Sequence, residues 1–421
     1  MDPVIVTVVI MVFAIVMFVW EKLPLAVTAM IVSMALNMFG VLTPAQSFAG
    51  FVNASVILFA SMFVVAGAFY QSGVASAWGK QILRFAKTER QLMVLTMLLV
   101  GLIGAVMSNT AAAAIFLPIV IGICATSGFS RSRLLLPMAY GATMSGSLTL
   151  ISSPGNLIAH SLLQEHGYAG YAFFDFGFVG FPVLFIGCAF FGLVGQKLIP
   201  NRGDLGESDV KEKDYSNVPA WKRNLSIITL IVVVLCMIFV DQIGIANHVV
   251  ATLGALFLVV TKVMTEKQAY EAIEWKVIFL FAGTLPLATA LETTGAGSMF
   301  ADWALGMLGA DPSAFAVTTM IFFTAVALTT LISNTATTAL LAPISISIAH
   351  AMDADPMAAA AATVVGAAMS FLTPISTPPN TLVFAHGGYK FTDYVKAGLP
   401  LTIVTSIASV ILLPIVFPFW P

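Results

Sequence analysis

The sequence predicts an all-α polytopic membrane protein built from two inverted repeats, each with five transmembrane helices and one re-entrant hairpin. Three observations predict it. Of 421 residues, 59% are apolar and only 9% charged, with a mean hydropathy of +0.99, against about 25% charged in a soluble domain. A single topology puts all 18 Lys and Arg on one side of a membrane. The tripeptide Ser-Asn-Thr occurs twice, at 108–110 and 333–335, in equivalent places of the two halves.

Ten apolar stretches read as full spans: 4–20, 24–42, 52–75, 133–165, 177–199, 224–241, 247–264, 275–292, 357–385 and 397–418. A bilayer core takes about 20 helical residues to cross. Two further segments, 91–126 and 315–350, fold around the Ser-Asn-Thr tripeptides. Their arms of about 16 residues reach only about 24 Å at 1.5 Å per residue, so they are expected to be re-entrant hairpins. Lys22, the run Lys80 to Arg90, Arg131, Arg133, Lys197 to Arg223, Lys262 to Lys276, Lys390 and Lys396 then share one side, and loops such as 166–176, 293–312 and 351–356 carry no Lys or Arg. By the positive-inside rule that side is the cytoplasm. Both termini lie outside, the first hairpin enters from the cytoplasm and the second from outside, in what reads as a bacterial inner membrane.

Composition removes other classes. No stretch is left for a large soluble domain, and a net charge of −2 without a basic cluster argues against nucleic acid. Cys124, Cys188 and Cys236 stand alone in apolar runs and read as packing. Met1-Asp2-Pro3 has neither a basic n-region nor a cleavage site after it, so the first span reads as a retained helix.

The halves, residues 1–200 and 224–421, are joined by a charged linker, 201–223. "VILFASMFVVAGAFYQSG" (56–73) pairs with "IFLFAGTLPLATALETTG" (278–295), Ser108 with Ser333, Asn156 with Asn380, and Gly180-Phe181-Pro182 with Gly398-Leu399-Pro400. Five spans per half is odd, so the repeats are inverted. That construction is typical of secondary transporters, whose sites lie near the midplane at the repeat interface.

Each half interrupts its backbone twice, at Ser-Asn-Thr and at "SSPGN" or "STPPN". Pro154-Gly155 with Asn156, and Pro378-Pro379 with Asn380, fall inside what would otherwise be long helices. Irregular backbone at membrane depth is tolerated where it is buried in protein or lines a wet cavity. Half-helix N-termini there favour an anion, while freed carbonyls and Ser or Asn oxygens suit a hard cation. No Asp, Glu, Lys or Arg sits at mid-span; only Glu292 reaches into a helix end. Sodium therefore fits better than direct proton coupling. His160, His386, Asp241, Glu292 and the small-residue run 357–363 read as packing, caps or interfaces.

The twin Ser-Asn-Thr motifs, "SPGN", and "TPISTPPNTLVFAHGGYKFTDYVKAGLPL" (373–401) resemble the divalent anion:sodium symporter family of the ion transporter superfamily. The resemblance covers nearly the whole chain. It implies a homodimer, an elevator-type mechanism, sodium as coupling ion with no organic cofactor, and substrates such as C4-dicarboxylates, tricarboxylates or sulfate. Carried over by position, Ser108, Asn109 and backbone near Ser152 would hold one sodium, and Thr329, Asn334 and backbone near Ser376 the other. Asn109, Thr110, Asn334 and Thr335 would face the substrate, with Thr377 and Pro378 close by. Two departures concern the first cation site: Gly104 stands where the family often has a hydroxyl, and Ser152 where a glycine is common.

Sodium-coupled symport of a small divalent anion is the leading expectation, with an anion exchanger or cation/proton antiporter as the alternative. An intramembrane enzyme lacks a constellation to carry it: no HExxH, GxGD or GxSG occurs. A channel suits two dead-end hairpins from opposite faces less well than an occluded carrier site does.

Overall fold

The computed structural model describes residues 2–20, 22–202, 214–309 and 312–420. Residues 203–213 of the expected linker and the side chain of Asp241 lie outside the described set. The first half contains α1 (Pro3–Trp20), α2 (Leu25–Met38), α3 (Pro44–Phe48), α4 (Ala54–Gln71), α5 (Val74–Leu83), α6 (Glu89–Gly104), α7 (Asn109–Ser127), α8 (Arg131–Met144), α9 (Pro154–Glu165) and α10 (Gly177–Leu193). The second contains α11 (Ala220–Ile238), α12 (Val240–Ile243), α13 (Asn247–Val260), α14 (Glu266–Ala272), α15 (Trp275–Thr294), α16 (Ala296–Leu308), α17 (Ala314–Leu331), α18 (Asn334–Ala351), α19 (Pro356–Ala367), α20 (Pro378–His386) and α21 (Phe391–Val416). The described chain is helical, without strands.

Seven helical segments among the described residues are long and apolar enough to cross a membrane. Five fall in expected full spans, and two, α7 and α17, are hairpin arms. Three other expected spans are the shorter helices α2, α10 and α13, and the remaining two are interrupted, as α8/α9 and α19/α20. One hairpin arm has the expected length, 16 residues, and the other three are longer, at 19 residues in the first hairpin and 18 and 18 in the second. The reason lies at the tips. The connections are short, 105–108 and 332–333, because Ser108 and Ser333 start the next helix at once by accepting the backbone NH of Ala111 (3.2 Å) and Ala336 (3.3 Å).

The proline breaks also need correcting. The unwound stretches precede the prolines: Pro154 and Pro378 are the first residues of α9 and α20. A missing NH costs nothing there, since first-turn donors have no intrahelical partner. The prolines therefore start the second half-helices, and each break lies just before its proline.

The repeat extends to fine detail. Thr43 and Thr265 each close a capping box with a glutamine three residues on, at the starts of α3 and α14. A Cβ at Gly180 of α10 would collide with the Ser147 carbonyl, and one at Gly398 of α21 with the Phe371 carbonyl. The last helix of each half thus presses against the unwound backbone of its own half, an approach that only glycine permits.

The helices form two groups. α1, α2 and α15 pack together, as do α4, α11 and α13, making a framework. The hairpins pack on the broken helices, α6 and α7 on α8, α17 and α18 on α19, with α10 and α21 behind them. The groups meet where α4 and α15 touch α9, and α15 touches α18.

Candidate functional site

Four helix starts, those of α7, α9, α18 and α20, converge on one cavity of about 450 Å³. Its wall holds all six residues expected to face a substrate: Asn109, Thr110, Asn334, Thr335, Thr377 and Pro378. Ser108, Ser152, Ser376 and Pro154 line it too. Thr329, Gly155, Asn156, Pro379 and Asn380 do not; they stand behind the wall.

The unwound stretches are held open by a device repeated in each half. Asn156 donates its side-chain amide to the carbonyls of Gly146 (2.8 Å) and Thr149 (2.7 Å), and Asn380 does the same to Ser370 (2.9 Å) and Thr373 (3.0 Å). Ser152 Oγ lies 3.0 and 2.8 Å from the same carbonyls as Asn156, and Ser376 Oγ 3.2 and 3.1 Å from those of Asn380. Carbonyls freed from helix geometry are thus satisfied inside the protein, as buried peptide groups must be. Each break is also tied to its hairpin: Thr149 donates to the Ala105 carbonyl and Thr373 to the Thr330 carbonyl. Between halves, Thr143 Oγ1 lies 3.3 Å from Thr377 Oγ1, and a Cβ at Gly155 would meet Thr338 Oγ1 at 2.7 Å. Tyr394 donates to the Asn380 carbonyl (2.7 Å), fixing the start of α20 from behind.

The second tip carries a buried all-oxygen cluster. Thr329 Oγ1 is 2.9 Å from Asn334 Oδ1 and 2.7 Å from the Ala367 carbonyl, and Ser370 Oγ is 2.7 Å from Asn334 Oδ1. Nearby, Asn380 Oδ1 is buried without a hydrogen-bond partner. Hydroxyl, amide and carbonyl oxygens without a carboxylate fit a monovalent hard cation, and no group of three or more His, Cys, Asp or Glu is placed to hold a metal among the described residues.

The first tip differs. At the positions equivalent to Thr329 and Ser370 stand Gly104 and Gly146, and Asn109 Oδ1 turns to the backbone NH of Thr110 (2.8 Å). The space at Gly104 is filled from elsewhere: a Cβ there would collide with the Ser145 hydroxyl, which donates to the Ala142 carbonyl (2.6 Å). A serine on the broken helix puts an oxygen where the hairpin lacks one.

Sequence reasoning missed Glu274 and Lys276, which line the cavity from the start of α15. Glu274 accepts a long hydrogen bond, 3.4 Å, from Ser108. Desolvation pushes its carboxyl above the usual carboxylate range, against the Ser108 bond and the Lys276 charge, which pull it down. No sequence signal marks the pair, because both sit at a span end and resemble ordinary loop charges. The apolar wall, with Phe59, Met62 and Phe63 of α4, is likewise a product of packing. His160 lies elsewhere, its Nδ1 accepting the Tyr171 backbone NH (2.9 Å), and His386 is also outside the cavity wall.

The chain is similar along its length to known transporters. It is 24% identical to the uncharacterized transporter YfbS of Escherichia coli, over 96% of this chain and 98% of the relative. It is 23% identical to the sodium-dependent dicarboxylate transporter SdcS of Staphylococcus aureus, over 94% and 83%. The fold matches that of the Alcanivorax borkumensis YdaH transporter with a TM-score of 0.58 and 16% identity, covering 97% of this chain and all of that one. The profile of the CitMHS citrate transporter family matches residues 15–366, and the chain accordingly belongs to that family, within the ion transporter superfamily, as a membrane transporter and not an enzyme.

Proposed function

We propose that the protein is a sodium-coupled symporter of a small divalent anion, C4-dicarboxylate-like, working by an elevator movement as a homodimer in the bacterial inner membrane. The observation that carries this reading is the convergence of four helix starts and both Ser-Asn-Thr turns on one cavity, where Lys276 is the only cationic side chain among the described residues. Helix N-termini and hydroxyls then receive the anion, and the oxygen clusters behind them receive sodium. Similarity to SdcS supports the same assignment.

The helix groups suit the movement. Ser108–Glu274, Asn53–Glu165 (2.9 Å) and His166–Glu292 (3.3 Å) are polar contacts between the framework and the hairpin-bearing group. Pro24, Glu274 and Lys276 line the cavity from the Lys/Arg-rich side, so the cavity opens to the cytoplasm and the outer side is closed by the Asn53 and His166 contacts. The repeats 1–200 and 224–421 supply one hairpin and one broken helix each to the moving group, and both termini lie outside.

Thermal unfolding of the purified protein tests the binding step. Succinate is expected to raise the melting temperature in sodium and not in potassium, because a ligand that binds only the folded state stabilises it by mass action. A succinate shift of the same size in both salts would contradict coupled binding.

A further inference from the structure

Away from the transport cavity, a second cavity of about 450 Å³ lies between α5 and the first hairpin. Leu83, Leu92, Pro118, Ile119, Ile123 and Phe129 give it an apolar wall, while the exposed side chains of Lys80 and Arg84 also line it. Among the described residues, no Asp or Glu lines that wall. On the α7 side a Cβ at Gly122 would meet nothing within 4 Å, so the cavity is open there.

Three features select the occupant. The wall is mostly apolar, with the two cations and the hydroxyls of Thr126 and Ser127 as its polar part, which matches an acyl chain joined to an anionic head better than a soluble anion. Trp78 and Phe85 beside it are exposed, 49% and 74%, as aromatic side chains at a membrane interface are. The repeat supplies a contrast: α16 is the inverted counterpart of α5, yet Asp302 and Gly306 stand at the positions equivalent to Lys80 and Arg84. The fold of this arm is shared by both halves; its basic lining belongs to one.

We infer that the cavity between α5 and α7 binds one anionic phospholipid, its phosphate facing Lys80 and Arg84 and an acyl chain lying on the Leu83–Ile119–Ile123 wall. The inference rests on the orientation proposed above, which places this arm at the cytoplasmic leaflet, where juxtamembrane basic residues attract anionic lipid. The lipid would hold α5 against the hairpin that carries Ser108 to Thr110.

The test is native mass spectrometry of the full-length protein released from nanodiscs of phosphatidylethanolamine and phosphatidylglycerol. The wild type is expected to retain a phosphatidylglycerol, and Lys80→Gln/Arg84→Gln to lower its occupancy roughly tenfold. Lys87→Gln/Arg90→Gln removes the same charge outside the cavity wall and is expected to retain lipid as the wild type does. Gly122→Leu fills the cavity with every charge intact and is expected to lose the lipid. Absence of retained lipid in the wild type, equal loss in both charge pairs, full retention in Gly122→Leu, or displacement by glycerol phosphate, which would mark a soluble phosphate site, would each overturn the inference. Retention is read without transport, so failure here and failure of the sodium reading are separable.

Discussion

Thr329 and Asn334 are joined across the second hairpin tip by a 2.9 Å hydrogen bond, and in the first hairpin the equivalent pair is Gly104 and Asn109, where no such bond can exist. The two candidate cation sites are therefore unequal in this chain. The second brings its own hydroxyls; at the first, the hydroxyl beside Gly104 is that of Ser145.

Thr329→Val removes one oxygen from the buried cluster while keeping its shape. The expected result is a roughly tenfold weaker apparent sodium affinity, corresponding to about 1–2 kcal/mol, with normal insertion. Uptake measured against sodium concentration checks it; an unchanged sodium curve would remove Thr329 from the site.

Gly104→Ser adds a side chain where the Ser145 hydroxyl already lies. Overpacking there is expected to destabilise the protein by about 1–3 kcal/mol. Pairing it with Ser145→Ala moves the hydroxyl from the broken helix to the hairpin and is expected to recover most of that loss. A double-mutant cycle in thermal unfolding reads the coupling, and additive effects would refute the shared space.

Asn156→Ala and Asn380→Ala each leave two buried carbonyls without their amide donor. Each variant is expected to lose about 2 kcal/mol or more, along with transport. Equivalent losses are expected because the device is the same in both halves. Stability unchanged in either variant would show that its break is held by other contacts.

Glu274→Gln removes a negative charge from the cavity wall and is expected to lower the KM for a divalent anion, whereas Lys276→Gln is expected to raise it, each by roughly two- to threefold and less in high salt. Initial rates at two ionic strengths check the signs. Equal KM values in all three proteins would place both charges outside the substrate's path.

Much of this was legible in the sequence because the constraint is severe. Ser108 and Ser333 could be matched by motif, and Asn156 with Asn380 by register, since a break in a membrane helix needs polar support that apolar surroundings make conspicuous. The helical class followed from composition in the same way. Other features depended on distance and not pattern. Pro154 and Pro378 marked the breaks, and only the backbone shows them starting the second half-helices at N1. Ser145 has no motif, and its value comes from a notch at Gly104 that lies 41 residues earlier. Glu274 and Lys276 read as loop charges until the packing of α15 brought them to the cavity.

The two Ser-Asn-Thr turns carry the central claim, and uptake of labelled succinate into proteoliposomes under an inward sodium gradient, with potassium as control, tests it most directly. The account predicts accumulation above the outside concentration in sodium only, abolished by Asn109→Ala and by Asn334→Ala in protein that still inserts. Uptake without sodium that appears only when the liposomes are preloaded with unlabelled anion, or full accumulation in both variants, would contradict it.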